Sequence, residues 1–191
     1  MMRVTQSALL VMDVQRGIVE RYATSANVLK PFQTAIDAAR GVNMPIVYVR
    51  VAFRAGYPEV SPNNRSFSAI AGHGGFTELD DATSIHPAVA PEPGDITVVK
   101  RRVSAFSGSD LDVVLRALQV DTLVLTGIAT SGVVLSTLRQ AADLDYHLKV
   151  LSDACLDGDS EVHAVLTQKV FPRQAEVLTS DAFAEAVRRE H

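Results

Sequence analysis

Thr122 to Gln140 reads TLVLTGIATSGVVLSTLRQ, and this stretch decides the fold. It opens with a continuous apolar run, Leu123-Val124-Leu125, as expected of a parallel strand buried on both faces. The run stops at Thr126-Gly127, and Ile128 to Gly132 form a sharp connection. From Val133 onward apolar residues recur at helical spacing, with Val134, Leu138 and Ala141 at i, i+4 and i+7. An abrupt strand-to-helix turn gathers free backbone N–H groups and the positive end of the helix dipole at one place. Such a place can hold an anion or a developing oxyanion, although every ordinary strand-loop-helix crossover has the same outline.

Working outward, the same pattern repeats. Ser7 to Val14 is a first buried strand, ALLVMDV, with Asp13 as the one acid at its carboxyl end, and Ile46 to Phe53 is a second, entered from Pro45. Ile96 to Lys100 is a third, His147 to Leu151 follows the organising stretch, and Glu176 to Leu178 is a short last strand. Between them lie helical faces at Ser25 to Ala39, with Gly41 as a stop, and at Leu111 to Gln119, capped by Ser109 or Asp110. Further helices are expected over Ser160 to Phe171 and from Asp181 through Val187. Strands alternating with helices predict an α/β protein with a mainly parallel, helix-covered sheet. Ligands of such sheets sit beyond the carboxyl ends of the strands. Asp13, Phe53, Lys100 and Ile128 all stand at or near those ends.

The 191 residues fit a single domain over 1–191. Its one irregular region is a lid-like excursion at about 54–93, rich in Pro, Gly, Ser, Asn and Asp, either site-forming or an inert surface loop with short helical turns. Phe53, Arg54, Arg65 and Phe67 are candidates for pocket residues there. A hydrophobic fraction of 47%, 21% charged residues and a net charge of −4 describe a soluble globular chain. The basic residues are dispersed apart from Lys100-Arg101-Arg102 and Arg188-Arg189, so no nucleic-acid footprint is expected. A single cysteine points to a reducing compartment, and Ala8 to Met12 is too short for a signal sequence. A cytoplasmic protein that does not enter the membrane is the expectation.

Asp13 and Lys100 each end an otherwise apolar strand. A carboxylate there is costly unless paired, and an acid and a base ending two strands can meet only at the ligand-binding edge. Taken singly, the acid would serve as a loop cap and the lysine would snorkel. Cys155 lies among Asp153, Asp157 and Asp159, which suppress a thiolate, so it reads as structural. Ser131 sits at the turn without a nucleophile-elbow spacing and reads as a helix cap. The histidines show no metal-ligand spacing, and no dinucleotide fingerprint is present, so neither a metal nor a cofactor is expected.

Four segments together resemble the isochorismatase-like hydrolases, a family that includes cysteine-dependent amide hydrolases: LLVMDVQ with Asp13 and Gln15, VVKRRVSAFSGSDL with Lys100 and Phe106, LTGIATSGVVLST, and DACLDGDSEVH with Asp153 and His163. The resemblance implies a three-layer, Rossmann-like fold with a six-stranded parallel sheet, an Asp-Lys-Cys catalytic set, a small-molecule substrate, and a homodimer or larger assembly. It also implies a non-proline cis peptide between Ile128 and Ala129 that aims N–H groups at the substrate. By the same likeness Gln15, Phe53, Phe106, Ile128, Ala129, Thr130 and Gly132 become candidates for substrate binding or an oxyanion turn. The slot of the family's nucleophilic cysteine, counted from Thr130, holds Val133. Losing a nucleophile that works as a unit with its base costs on the order of 10⁶ in rate. Three readings follow. In the first, Asp13 acts as an acid, as in the branch that cleaves the vinyl ether of isochorismate without a thiol. The second is a catalytically silent member that binds a metabolite or a protein, and the third is a serine mechanism through Ser131.

Overall fold

In the computed structural model, residues 6–22 and 25–190 are described. Six strands form one parallel sheet: β1 (Ser7–Met12), β2 (Ile46–Val51), β3 (Ile96–Lys100), β4 (Thr122–Ile128), β5 (His147–Leu156) and β6 (Glu176–Leu178), in the order β3-β2-β1-β4-β5-β6. β1 is central and pairs with β2 on one side and β4 on the other. The direction of strand order reverses between β1 and β4, which makes their carboxyl ends the switch point of the sheet.

Alternation along the strands sends side chains to two cores. Ala8, Leu10, Met12, Val47, Val49, Leu123 and Leu125 face one way. They pack under α4 (Leu111–Ala117), through Leu111 and Leu115, and under α5 (Leu135–Asp143), through Leu138 and Ala141. Leu9, Val11, Tyr48 and Val124 face the other way, against α2 (Lys30–Gly41) and α7 (Ser180–Glu190). The three-layer α/β architecture is therefore as the sequence indicates.

Several boundaries differ from expectation, each for a local reason. The helix expected from Ser25 begins as a tight turn over Ala26–Leu29, and α2 proper starts at Lys30, where Pro31 has no N–H to lose. A short helix, α1 (Arg16–Tyr22), follows β1 directly. The helix expected from Ser160 to Phe171 is regular only over α6 (Ser160–Val165), then widens over Leu166–Val170. β5 continues past Leu151 to Leu156 because extra residues are absorbed between the pairs Leu125↔Val150 and Gly127↔Cys155. No helix among the described residues is long and apolar enough to cross a membrane.

The excursion is ordered. It carries α3 (Arg65–His73), capped by Asn64, and a core of its own in which Phe53 meets Phe67 edge-on at 5.4 Å between ring centres. It folds back over the carboxyl ends of β1 and β2: Arg16 N donates to Ser84 O and His86 N to Val14 O. Gly17 admits the contact, since a Cβ there would lie 2.8 Å from the Cβ of Ala82.

At the far end of β5, Asp153 accepts from both the N–H and the hydroxyl of Ser180, each at 2.7 Å, and so fixes the start of α7. Asp153→Ala is expected to destabilise the chain by about 1–2 kcal/mol, read as a shift in the denaturant midpoint, because it removes a cap.

Candidate active site

Asp13 is the first residue after β1, and it sits in the left-handed region with φ 57°, which Asp tolerates better than bulky residues. Its N–H donates to Val49 O, so the carboxyl is carried at the strand end by backbone pairing. Lys100 ends β3, two strands away. Its Nζ lies 2.9 Å from Asp13 Oδ2, and the two side chains are only 2% and 7% exposed. Burial pushes the Asp13 carboxyl above the usual carboxylate range, and the ammonium beside it opposes that push without cancelling it.

An ammonium has three N–H donors. Those of Lys100 have three partners at hydrogen-bond distance: Asp13 Oδ2, Arg102 O at 2.9 Å and Val103 O at 3.0 Å. Lys100 therefore has no donor left over for a ligand in this arrangement. Asp13 Oδ1, by contrast, is buried and has no hydrogen-bond partner among the described residues. A proton on this carboxyl belongs on Oδ1, because Oδ2 accepts from the lysine.

The strand-helix turn lies at the end of β4, beside β1. The Ile128–Ala129 peptide is cis. Gly127 is required by close approach, since a Cβ would meet Met12 O at 2.7 Å and Val133 Cγ1 at 3.3 Å. Val133 is buried, 2% exposed, and packs into the core beneath α5. Its two γ-methyl groups offer no nucleophilic atom.

Much of the turn's hydrogen-bonding capacity is already used. Ser131 N donates to Asp157 Oδ2 at 2.7 Å, while Gly132 N and Val134 N both donate to Ala129 O. The hydroxyl of Thr130 lies 2.8 Å from His163 Nδ1 on α6. The anion that the turn was expected to attract is thus in part supplied by the chain itself, as the carboxylate of Asp157. Hydrogen bonds from Ser131 and from the backbone of Asp159 and Gly158 hold the Asp157 carboxyl below the usual range, against the effect of burial. The N–H of Gly132, a candidate for substrate binding or the oxyanion turn, closes the turn on Ala129 O.

Three other sequence candidates are also placed differently from expectation. Gln15 does not present its amide to a ligand: Nε2 donates to Val51 O and Thr83 O, and Oε1 accepts from Val51 N, all at 2.9 Å. It is a clamp between β2 and the excursion. Phe106 packs in the core beneath α4 and α5, with its ring 6.1 Å from that of Tyr146 at the amino end of β5, a packing position rather than a pocket wall. Ile128 turns its side chain into the opposite core, beside Leu151 and Phe183. Phe53 is fully buried beneath the excursion, and Ala129 is half-buried in the turn.

Sequence reasoning passed over His163 and Asp157 as parts of this turn, although the D-G-D-S-E-V-H run after β5 was visible as a helix start. Glu59 of the excursion and Arg101, just after β3, form an ion pair at 3.1 Å that depends on how the excursion folds back and carries no local sequence signal. Cys155 is buried beside Gly127 in the sheet, and burial pushes its thiol up to about 12. Iodoacetamide at pH 8 is expected to leave Cys155 unmodified in the folded chain and to alkylate it fully in guanidinium chloride, as read by mass.

An isochorismatase domain model matches residues 7–182, nearly the whole chain. The chain belongs to the isochorismatase family. It is 35% identical over 184 residues to an uncharacterized isochorismatase family protein, YwoC, of Bacillus subtilis, covering 96% of this chain and 95% of that one. It is 34% identical over 175 residues to the ureidoacrylate amidohydrolase RutB of Stutzerimonas stutzeri, covering 80% and 71%. In fold it is similar to a cysteine hydrolase from Pseudomonas syringae pv. phaseolicola, with a TM-score of 0.90 at 23% identity over 97% of this chain and 94% of that one. Isochorismatase-family proteins are hydrolases, and in this member the buried Asp13–Lys100 ion pair lies at the carboxyl ends of β1 and β3.

Proposed function

We propose that this isochorismatase-family hydrolase works without a thiol nucleophile, by acid-base chemistry at Asp13, on a small molecule carrying an enol ether such as isochorismate. One observation carries the reading: a carboxyl raised by burial, paired through one oxygen with Lys100 and without a partner at the other among the described residues. The turn beside it holds Val133 where the likeness to the family leads one to count its nucleophile. Asp13 donates its Oδ1 proton to the terminal carbon of the enol ether. The oxocarbenium ion that results is captured by water, which returns a proton to Asp13. The hemiketal then collapses to pyruvate and the free alcohol. An acid whose protonated form persists above the ordinary carboxylate range suits this step.

The relatives include an amidohydrolase, so amide cleavage is the competing chemistry. It needs a nucleophile that Val133 cannot supply. The deciding experiment incubates the protein with isochorismate, and separately with nicotinamide and ureidoacrylate, following pyruvate and ammonia. Pyruvate without ammonia is the expected result. Ammonia from either amide would overturn the cysteine-free reading. A silent, ligand-holding member is a second reading, favoured by the apolar Val133 in the turn and by a Lys100 whose three N–H donors are already taken. Isochorismate binding by calorimetry with no pyruvate formed would decide for it.

A further inference from the structure

Lys100 takes two of its three partners from the backbone of Arg102 and Val103. The same short segment holds the excursion. Arg101 Nε lies 3.1 Å from Glu59 Oε1, its guanidinium also pairs with Glu78 and donates to Ala52 O, and Arg102 donates to Glu59 O at 2.8 Å. The Arg102 guanidinium stands 6.0 Å from the centre of the Phe67 ring, on α3 of the excursion. The Arg101 side chain is 13% exposed, as is that of Glu59, so this ion pair is largely shielded from water. Beside it lies an open surface groove of about 720 Å³, lined by Arg54, Glu59, Arg101, Arg102, Ser109 and Asp110 among others.

We infer that Arg101 and Glu59 form a latch through which the excursion covers the Asp13–Lys100 pair and keeps water from it. Closing the latch seats residues 102 and 103 over the ammonium, which the end of β3 itself holds against Asp13. Parting it frees the segment that covers Lys100 and lets water reach the pair from the groove on the far side of that segment. Arg101 and Glu59 are thus positioning residues, acting through Lys100 rather than on a substrate. The inference rests on Asp13 being the working group, but its test needs no turnover.

The test is the titration of Asp13 itself, followed by carbon-detected NMR of protein labelled at aspartate side-chain carboxyls. The resonance is assigned by its loss in Asp13→Asn. Lys100 is the charged group in contact with Asp13, and burial is the larger influence on it. Admitting water should therefore move the Asp13 midpoint down, toward the ordinary carboxylate value, in Glu59→Gln and in Arg101→Gln. Arg101→Lys, which keeps one charge opposite Glu59, should fall between these variants and wild type. Arg40→Gln, which breaks an ion pair with Asp95 at the amino end of the sheet, should leave the midpoint in place. Circular dichroism and thermal unfolding identify folded variants. A midpoint that is unchanged or moved up in folded Glu59→Gln and Arg101→Gln would overturn the latch. Failure of isochorismate turnover with a downward midpoint would overturn the proposed reaction and leave the latch standing.

Discussion

Asparagine in place of Asp13 is expected to lower pyruvate release from isochorismate by about 10²–10⁴-fold, the range of a lost general acid. The substitution keeps the shape of the side chain. Its amide oxygen can still accept from Lys100, which retains Arg102 O and Val103 O as well. What disappears is the proton on Oδ1. The expected signature is therefore a fall in kcat, accompanied by a lower thermal midpoint because the buried Lys100 ammonium loses its counter-charge. A pH profile adds a second check. Because the acid form is the working form, kcat should fall as pH rises through the folded pKa of Asp13, above its ordinary value of 3.8. Activity that survives in Asp13→Asn would remove Asp13 from the chemistry.

Lys100→Met should have the largest effect on stability. Methionine fills much of the lysine's volume but leaves Asp13 buried without its partner, at a cost of about 3–5 kcal/mol. For a chain of this size that corresponds to a fall of roughly 6–20 °C in the thermal midpoint. The pH dependence has a definite sign. Asp13 already binds its proton more tightly in the folded than in the unfolded chain, and removing the ammonium strengthens that preference. Stability linked to this group is complete below the unfolded pKa and declines as pH rises through the folded one. The deficit of Lys100→Met should therefore be smallest near pH 4 and greatest near neutrality, measured by urea unfolding at both. Adding Asp13→Asn to Lys100→Met should restore much of the loss, since no buried charge is then left alone.

The sheet was legible in the sequence because its six strands are short apolar runs, and Asp13 and Lys100 were legible because each interrupts one. Their pairing followed from topology alone: strand ends of a parallel sheet share an edge. The excursion was not legible in the same way. Its order comes from Gln15, Arg101 and Glu59, polar residues whose partners are distant in the chain and whose roles show no periodicity. The turn after β4 was located correctly, but its donors were counted as free. Nothing in a local reading of Ile128 to Gly132 says that Asp157 and His163, from beyond the next strand, return to meet it. Phe106 carried a family-like pattern, yet the helices above it draw its ring into the core.

The place of β1 in the sheet bears on how the chain is made. Ser7 pairs with Thr122, and Met12 with Gly127, so the second edge of this strand is unmatched until well over half the polypeptide has been synthesised. Until then Leu9, Leu10 and Val11 belong to a two- or three-stranded fragment with an open, apolar border, the kind of surface that invites association with other chains. Nascent molecules truncated before β4 should aggregate or recruit chaperones, and those extending past β5 should not. For this protein the hazardous interval of its birth lies between residues 52 and 122.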